Sequence, residues 1–118
     1  MKIKKFEDII AWQKAQDFAF NIYSAFSAIK DFGFKDQICR AAVSVSSNIA
    51  EGFDRSSDAD FSRFLYIALG SCSEVKSMLY LAERLEYIKI ENKNILVSKI
   101  NEISKIIRGL IKSLKQKP

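Results

Sequence analysis

The chain contains no histidine. That removes the commonest general base, the Ser-His and Cys-His nucleophile pairs, and the commonest metal ligand. It also excludes the di-iron arrangement of four-helix proteins, which needs Glu-x-x-His from two helices. Proline occurs once, as the last residue, and glycine only four times. An interior so poor in turn formers disfavours an all-β fold. Gly33, Gly52, Gly70 and Gly109 stand singly, so no glycine-rich phosphate loop is formed. No run of about 18 apolar residues occurs, so no membrane-spanning helix is expected. The basic start Met1-Lys2-Ile3-Lys4-Lys5 is not followed by a long apolar segment with a small-residue cleavage site. No signal peptide is therefore expected, and a soluble, cytoplasmic protein is. Cys39 and Cys72 form no Cys-x-x-Cys pair and are expected as small buried thiols, not a disulfide or metal site.

What remains is globular composition: 48% apolar and 28% charged residues in 118, enough for one domain and too little for two. The net charge of +5 is placed unevenly. Residues 1–5 carry +3, residues 6–94 carry −3, and residues 95–118 carry +5. The whole basic excess is terminal.

Four segments repeat apolar residues every three or four positions, the spacing of a helix with one buried face. The first runs through Ile9, Trp12, Ala15, Ala19, Ile22 or Tyr23, Phe26 and Ile29, with Gly33 placed to end it. The second uses Phe34, Ile38, Ala41, Val45, Ile49 and Phe53. Ser57 with Asp60 resembles a capping box at the start of the third. That helix carries Phe61, Phe64 or Leu65, Ala68, Cys72, Val75, Leu79, Ala82 and Leu85. The fourth, capped by Asn92 or Asn94, carries Leu96, Ile100, Ile103, Ile107, Leu110 and Leu114. The expected architecture is a single all-α domain over residues 1–118, with helices over about 7–31, 34–53, 58–86 and 93–115. Short connections imply an antiparallel up-down-up-down four-helix bundle. Lys2, Lys4 and Lys5 would then stand beside Lys112, Lys115 and Lys117, partly neutralised by Asp54, Asp58 and Asp60.

The second helix carries a further row. Gln37, Arg40, Ser44, Asn48, Glu51 and Arg55 fall within an arc of about 80° at 100° per residue. Arg63, Ser71 and Glu74 on the third helix are candidate partners. Serine and asparagine are poor helix-interior residues because they compete for backbone hydrogen bonds. Three functions compete for the row: structural hydrogen bonding within or between subunits, a solvated face, or a ligand or nucleic-acid site. Gly52 and Gly70 sit inside helical patterns at a cost of about 1 kcal/mol each relative to alanine. Gly70-Ser71 is the better candidate for close contact with a neighbouring helix, and Gly52 for fraying the second helix. Ile10, Phe20, Ile95 and Ile106 lie off the main stripes, which points to oligomerisation or to wide buried stripes. The basic ends either favour the helix dipole and solubility or contact nucleic-acid phosphates. Residues Lys105 and Arg108 extend that basic set along the fourth helix.

These residues resemble a known family. The segment Phe6-Glu7-Asp8-Ile9 with Trp12 and Ala15 forms its first part, with Gln37, the run Arg40 to Gly52, and Arg55. Phe61, Phe64-Leu65, Ala68, Gly70-Ser71 and Glu74 form the second. Together they are similar to the small four-helix-bundle proteins encoded in intervening sequences of bacterial 23S ribosomal RNA genes. Ser46 stands where that family often has Pro, and Glu86 where Gly is common. The resemblance implies an antiparallel bundle assembling as a ring-like homopentamer, with no established enzyme activity. Relatives include the accessory protein of diversity-generating retroelements, a basic pentamer that binds nucleic acid and a reverse transcriptase. The expectation is a non-enzymatic oligomeric scaffold binding RNA or a ribonucleoprotein through basic helix ends, without cofactor, membrane or small-molecule substrate. The alternative is a protein–protein adaptor ring with no direct nucleic-acid role. A small-molecule or enzymatic site around Arg40, Glu51 and Glu74 is the third.

Overall fold

A computed structural model describes residues 3–116, so Lys2 and Lys117 lie outside the described residues. A 3-10 turn, Phe6–Asp8, precedes four helices: α1 Ile10–Ala25, α2 Phe32–Phe53, α3 Asp58–Arg84 and α4 Ile90–Lys115. No strand occurs among the described residues. The molecule measures 49 × 21 × 19 Å, its long axis set by the roughly 40 Å of the two longest helices. α2 packs on α1 and α3, and α4 packs on α3 and α1. The apolar stripes meet along the middle: Phe18 and Ile22 from α1, Ile38, Val45 and Ile49 from α2, Leu65, Val75 and Leu79 from α3, and Ile100, Ile103 and Ile107 from α4. Burying each such side chain contributes about 1.5–3 kcal/mol, which is why periodicity alone locates the helices.

Helix ends depart from the periodicity. The stripe carries the first helix to about residue 31, but α1 stops at Ala25. Phe26 is buried from the turn that follows, so the pattern outlasts the helix. Gly33 does not end α1; it lies in the first turn of α2. The cause is Asp31, whose Oδ1 accepts the Phe34 N–H at 3.1 Å and caps α2 two residues earlier than the apolar pattern begins. Tyr87 Oη donates to the other carboxylate oxygen at 2.7 Å. The two bonds, that of Tyr87 first, hold the Asp31 carboxyl below its ordinary pKa, and the same bond raises the Tyr87 phenol.

At the far end of α3 the chain turns back through a left-handed residue. Glu86 has φ 61°. The Tyr87 N–H reaches the Ala82 carbonyl at 2.8 Å and the Glu86 N–H reaches Glu83 at 3.0 Å, the paired bonds of a Schellman end. This is the position where the resembling family commonly has Gly, the residue that takes this conformation without steric cost. Leu85 therefore leaves the buried stripe and is exposed. α4 starts at Ile90 after Lys89, which makes no side-chain cap bond, so neither Asn92 nor Asn94 caps it. Ser57 does cap α3, accepting the Asp60 N–H at 3.1 Å. Along α4, Ile111 is buried and Leu110 only half-buried.

The sequence assigns close helix contact to Gly70-Ser71 and fraying to Gly52; within the protomer Ser71 does reach α2, but the close approach lies at Gly52 and not at Gly70. A Cβ on Gly52 would stand 2.5 Å from Phe64 Cβ and 3.2 Å from Phe61 Cδ1, and nothing lies within 4 Å of one on Gly70. Ser46, where the family often has Pro, is fully buried inside α2. Its hydroxyl donates to Val43 O and accepts from Gln16 Nε2, both at 3.1 Å, tying α1 to α2.

Candidate functional site: two faces of the third helix

The polar row of α2 lies against α3. Gln37 Nε2 donates to Glu74 Oε2 at 3.2 Å, and Ser71 Oγ donates to Ser44 Oγ at 2.9 Å. Asn48 Nδ2 donates to the Ser44 carbonyl at 2.8 Å and to Ser44 Oγ at 2.9 Å. Ser44, Asn48 and Ser71 are all half-buried. Further along, Arg55 pairs with Glu51 at 3.1 Å, and both Arg55 and Arg63 lie 4.8 Å from the centre of the Phe64 ring. Arg63 also faces Asp60 at 3.7 Å. Arg40 is not gathered in; it pairs with Asp36 on its own helix at 2.8 Å, exposed on both sides. Arg40, Glu51 and Glu74 therefore have separate partners: Asp36, Arg55 and Gln37. The remaining hydroxyl and amide groups of the row are used in joining α2 to itself and to α3.

The other side of α3 is different in kind. Between α3 and α4 runs a groove of about 310 Å³ bordered by Tyr66, Leu69, Arg108, Ile111, Lys112 and Lys115. Ile111 is buried and Leu69 half-buried, which makes an apolar floor. Lys115 Nζ donates to Tyr66 Oη at 3.0 Å and lies 5.4 Å from the ring centre. Among the described residues, no Asp or Glu side chain pairs with Arg108, Lys112 or Lys115. The carboxyl end of the α4 dipole favours Lys112 and Lys115 there.

The structure unites only part of the basic set expected from sequence. Arg108, Lys112 and Lys115 share the groove. Lys105 lies farther along the same face, in a shallow recess with Asn94, Asn101 and Glu102. Lys4 and Lys5 are exposed ahead of the 3-10 turn and border neither recess. Ile3 does reach the α2–α3 loop, where it borders a recess with Phe53, Arg55, Asp58 and Phe61. Tyr66 is the residue that sequence inspection misses. No aromatic is interleaved with the lysines of α4, and none of its local neighbours marks Tyr66 as their companion. Packing of two helices brings them together.

Both cysteines are free and buried, and burial pushes both thiols above their ordinary pKa. Lys93, the one buried lysine among the described residues, pairs with Glu83 at 3.1 Å and lies 4.7 Å from the Tyr80 ring centre. Of the off-stripe apolar residues, Ile10, Phe20 and Ile95 are more than half exposed, whereas Ile106 packs against the core. Phe32, in the first turn of α2, is 71% exposed, a position that the expected helix start had left outside any element. No described helix is long and apolar enough to cross a membrane.

Comparison with known proteins agrees with the architecture. No curated protein matches the chain. A solved structure similar to this chain is a protein of unknown function from the S23 ribosomal protein family of Bacteroides thetaiotaomicron. It is 32% identical with a TM-score of 0.83, over 87% of this chain and 99% of that one. The family model described as 23S rRNA-intervening sequence protein matches residues 7–109, and the chain belongs to that family.

Proposed function

We propose that the protein is a non-enzymatic homo-oligomeric scaffold that binds RNA or a ribonucleoprotein through the basic face of α4. The observation that carries this is the α3–α4 groove, where Arg108, Lys112 and Lys115 converge with no carboxylate partner among the described residues. Cations so placed attract phosphates without reading base sequence. The bundle is antiparallel, up-down-up-down. Supporting this, Gln37, Ser44 and Gly52 on α2 meet Glu74, Ser71 and Phe64 on α3, in falling order. Glu83 and Tyr66 on α3 meet Lys93 and Lys115 on α4 in the same inverse sense.

Assembly rests on a second observation. Phe20, Phe32, Ile10 and Ile95 are each more than half exposed in the protomer. Where such side chains adjoin on a surface, a lone soluble domain seldom leaves them in water. A homo-oligomer covers them, and the family resemblance favours a pentameric ring. The same exposed residues favour the second reading, an adaptor ring that holds a protein partner and has no direct nucleic-acid role.

Salt dependence separates the two. Structured RNA should bind more weakly as salt rises, and alanine at Lys112, Lys115 and Lys117 should flatten that dependence. Absence of RNA binding at low salt would remove the leading function. Light scattering that shows a stable monomer at micromolar concentration would remove the assembly.

A further inference from the structure

We propose that the α3–α4 groove takes an unpaired stretch of polynucleotide, with a base stacked on Tyr66 and the flanking phosphates held by Arg108, Lys112 and Lys115. This rests on nucleic-acid binding by the same face and goes further, naming the strand state and the residue that recognises it.

Three features of the groove lead there. The first is its mixed chemistry. Leu69 and Ile111 provide an apolar floor, an aromatic ring forms one side, and three cations border the opening. A ligand matched to that arrangement has a flat apolar-faced part and adjacent negative charges, which is a nucleotide unit. The second is size. At about 310 Å³ the groove sits at the lower end of small-ligand sites, roughly 300–1,000 Å³. That suits one nucleotide of a chain rather than a protein domain. The third is the accessibility of the ring. Tyr66 is 51% exposed, and Lys115, itself exposed, donates to its hydroxyl. At 3.0 Å from Oη and 5.4 Å from the ring centre, the ammonium stands beyond the hydroxyl edge and does not cover a ring face. Lys115 is therefore free to turn to a phosphate without uncovering or blocking the surface on which a base would stack.

Strand state follows from geometry. In a duplex each base is covered above and below by its neighbours and offers no free face to an aromatic side chain. Unpaired bases offer both faces, and stacking on an aromatic tolerates any base because every base has a π-face. Phosphate contacts serve single and double strands alike. Tyr66 thus confers preference for single strands, and the cations confer affinity.

The test compares the full-length chain with Tyr66→Ala, Tyr66→Phe and Lys112→Ala. The probes are a fluorescein-labelled oligouridylate, a duplex RNA of the same length, and an oligoglutamate of similar charge, each titrated at two salt concentrations. Because Tyr66 and Lys112 are exposed, circular dichroism should show all variants folded. Tyr66→Ala is expected to weaken oligouridylate binding about tenfold, with the salt slope and duplex binding unchanged. Tyr66→Phe should retain binding, since the ring and not the hydroxyl stacks. Lys112→Ala should weaken both RNAs and lower the salt slope by about one. Oligouridylate binding that falls with Lys112→Ala but is indifferent to Tyr66→Ala would overturn the stacking site and leave RNA binding standing. No RNA bound by any form at low salt, with or without oligoglutamate binding, would overturn both.

Discussion

Toward α2, α3 presents Phe64, Ser71 and Glu74, and each meets a group that closes on it: the bare backbone of Gly52, the Ser44 hydroxyl and the Gln37 amide. Toward α4, at its amino-terminal half, the same helix presents Tyr66 and Leu69 to a groove bordered by cations. One seam is filled and internally satisfied; the other is open and carries surplus charge of one sign. The difference separates two uses of polar residues on a helix. Where donors and acceptors answer one another across a short distance, they hold the fold. Where like charges gather round an apolar floor, no opposite charge across the seam makes use of them, and the helix dipole is the stabilising effect left to them. Their placement is explained only by something that binds them or by the helix dipole beneath them.

Substitutions should therefore separate the two seams. The largest effect belongs to Gly52→Ala. The added carbon would meet Phe64 Cβ at 2.5 Å, an atom fixed to the α3 backbone, so the helices must part. Overpacking of this kind costs about 1–3 kcal/mol, and a loss near the upper end, read as a fall in Tm, is expected. An unchanged or raised Tm, as expected for an exposed helical glycine, would show that the seam is loose. Next comes Asn48→Ala, which removes two hydrogen bonds to Ser44. Each is worth about 0.5–1.5 kcal/mol, partly offset by the better helix propensity of alanine, about 0.5 kcal/mol. Denaturant unfolding should show a net loss near 1 kcal/mol. Unchanged stability with lost binding would make the row a site rather than a joint.

Gly70→Ala should do the opposite of Gly52→Ala. With nothing within 4 Å of the new carbon, the helix gains about 0.5–1 kcal/mol from the reduced backbone freedom of its unfolded state. A stabilised protomer that no longer assembles, seen by light scattering, would place Gly70 at a contact between copies. The smallest effect is expected for Lys112→Ala in the groove. Surface changes of this kind stay within about 0.5 kcal/mol. A stability loss beyond that would mean that the groove cations are structural and would weaken the contrast between the seams.

Much of this molecule can be read from its residues. The four apolar stripes overlap the four helices, though not to their ends, because burial of a repeating face is the main force that makes these segments helical. Ser57 announces the start of α3 for a local reason: its hydroxyl serves a backbone N–H three residues away. Asp31 carries the same kind of signal for α2, and the continuing stripe at Phe26 and Ile29 obscures it. The polar row of α2 is equally legible as a row, since angular position on a helix depends only on spacing. What it faces is not. Arg40 and Ser44 share the row, yet Arg40 turns to Asp36 on its own helix while Ser44 reaches α3.

Sequence alone determined the all-α class, the rough extent of the helices, the absence of histidine chemistry and the terminal placement of positive charge. Those follow from composition and from periodicities of three or four residues, which every segment carries within itself. Only the tertiary structure decided which glycine lies against a neighbouring helix, which hydroxyls pair, and that Tyr66 stands among Arg108, Lys112 and Lys115. Each of these depends on the register between two helices. That register is set by how their side chains interlock along the whole contact, and neither helix encodes it alone.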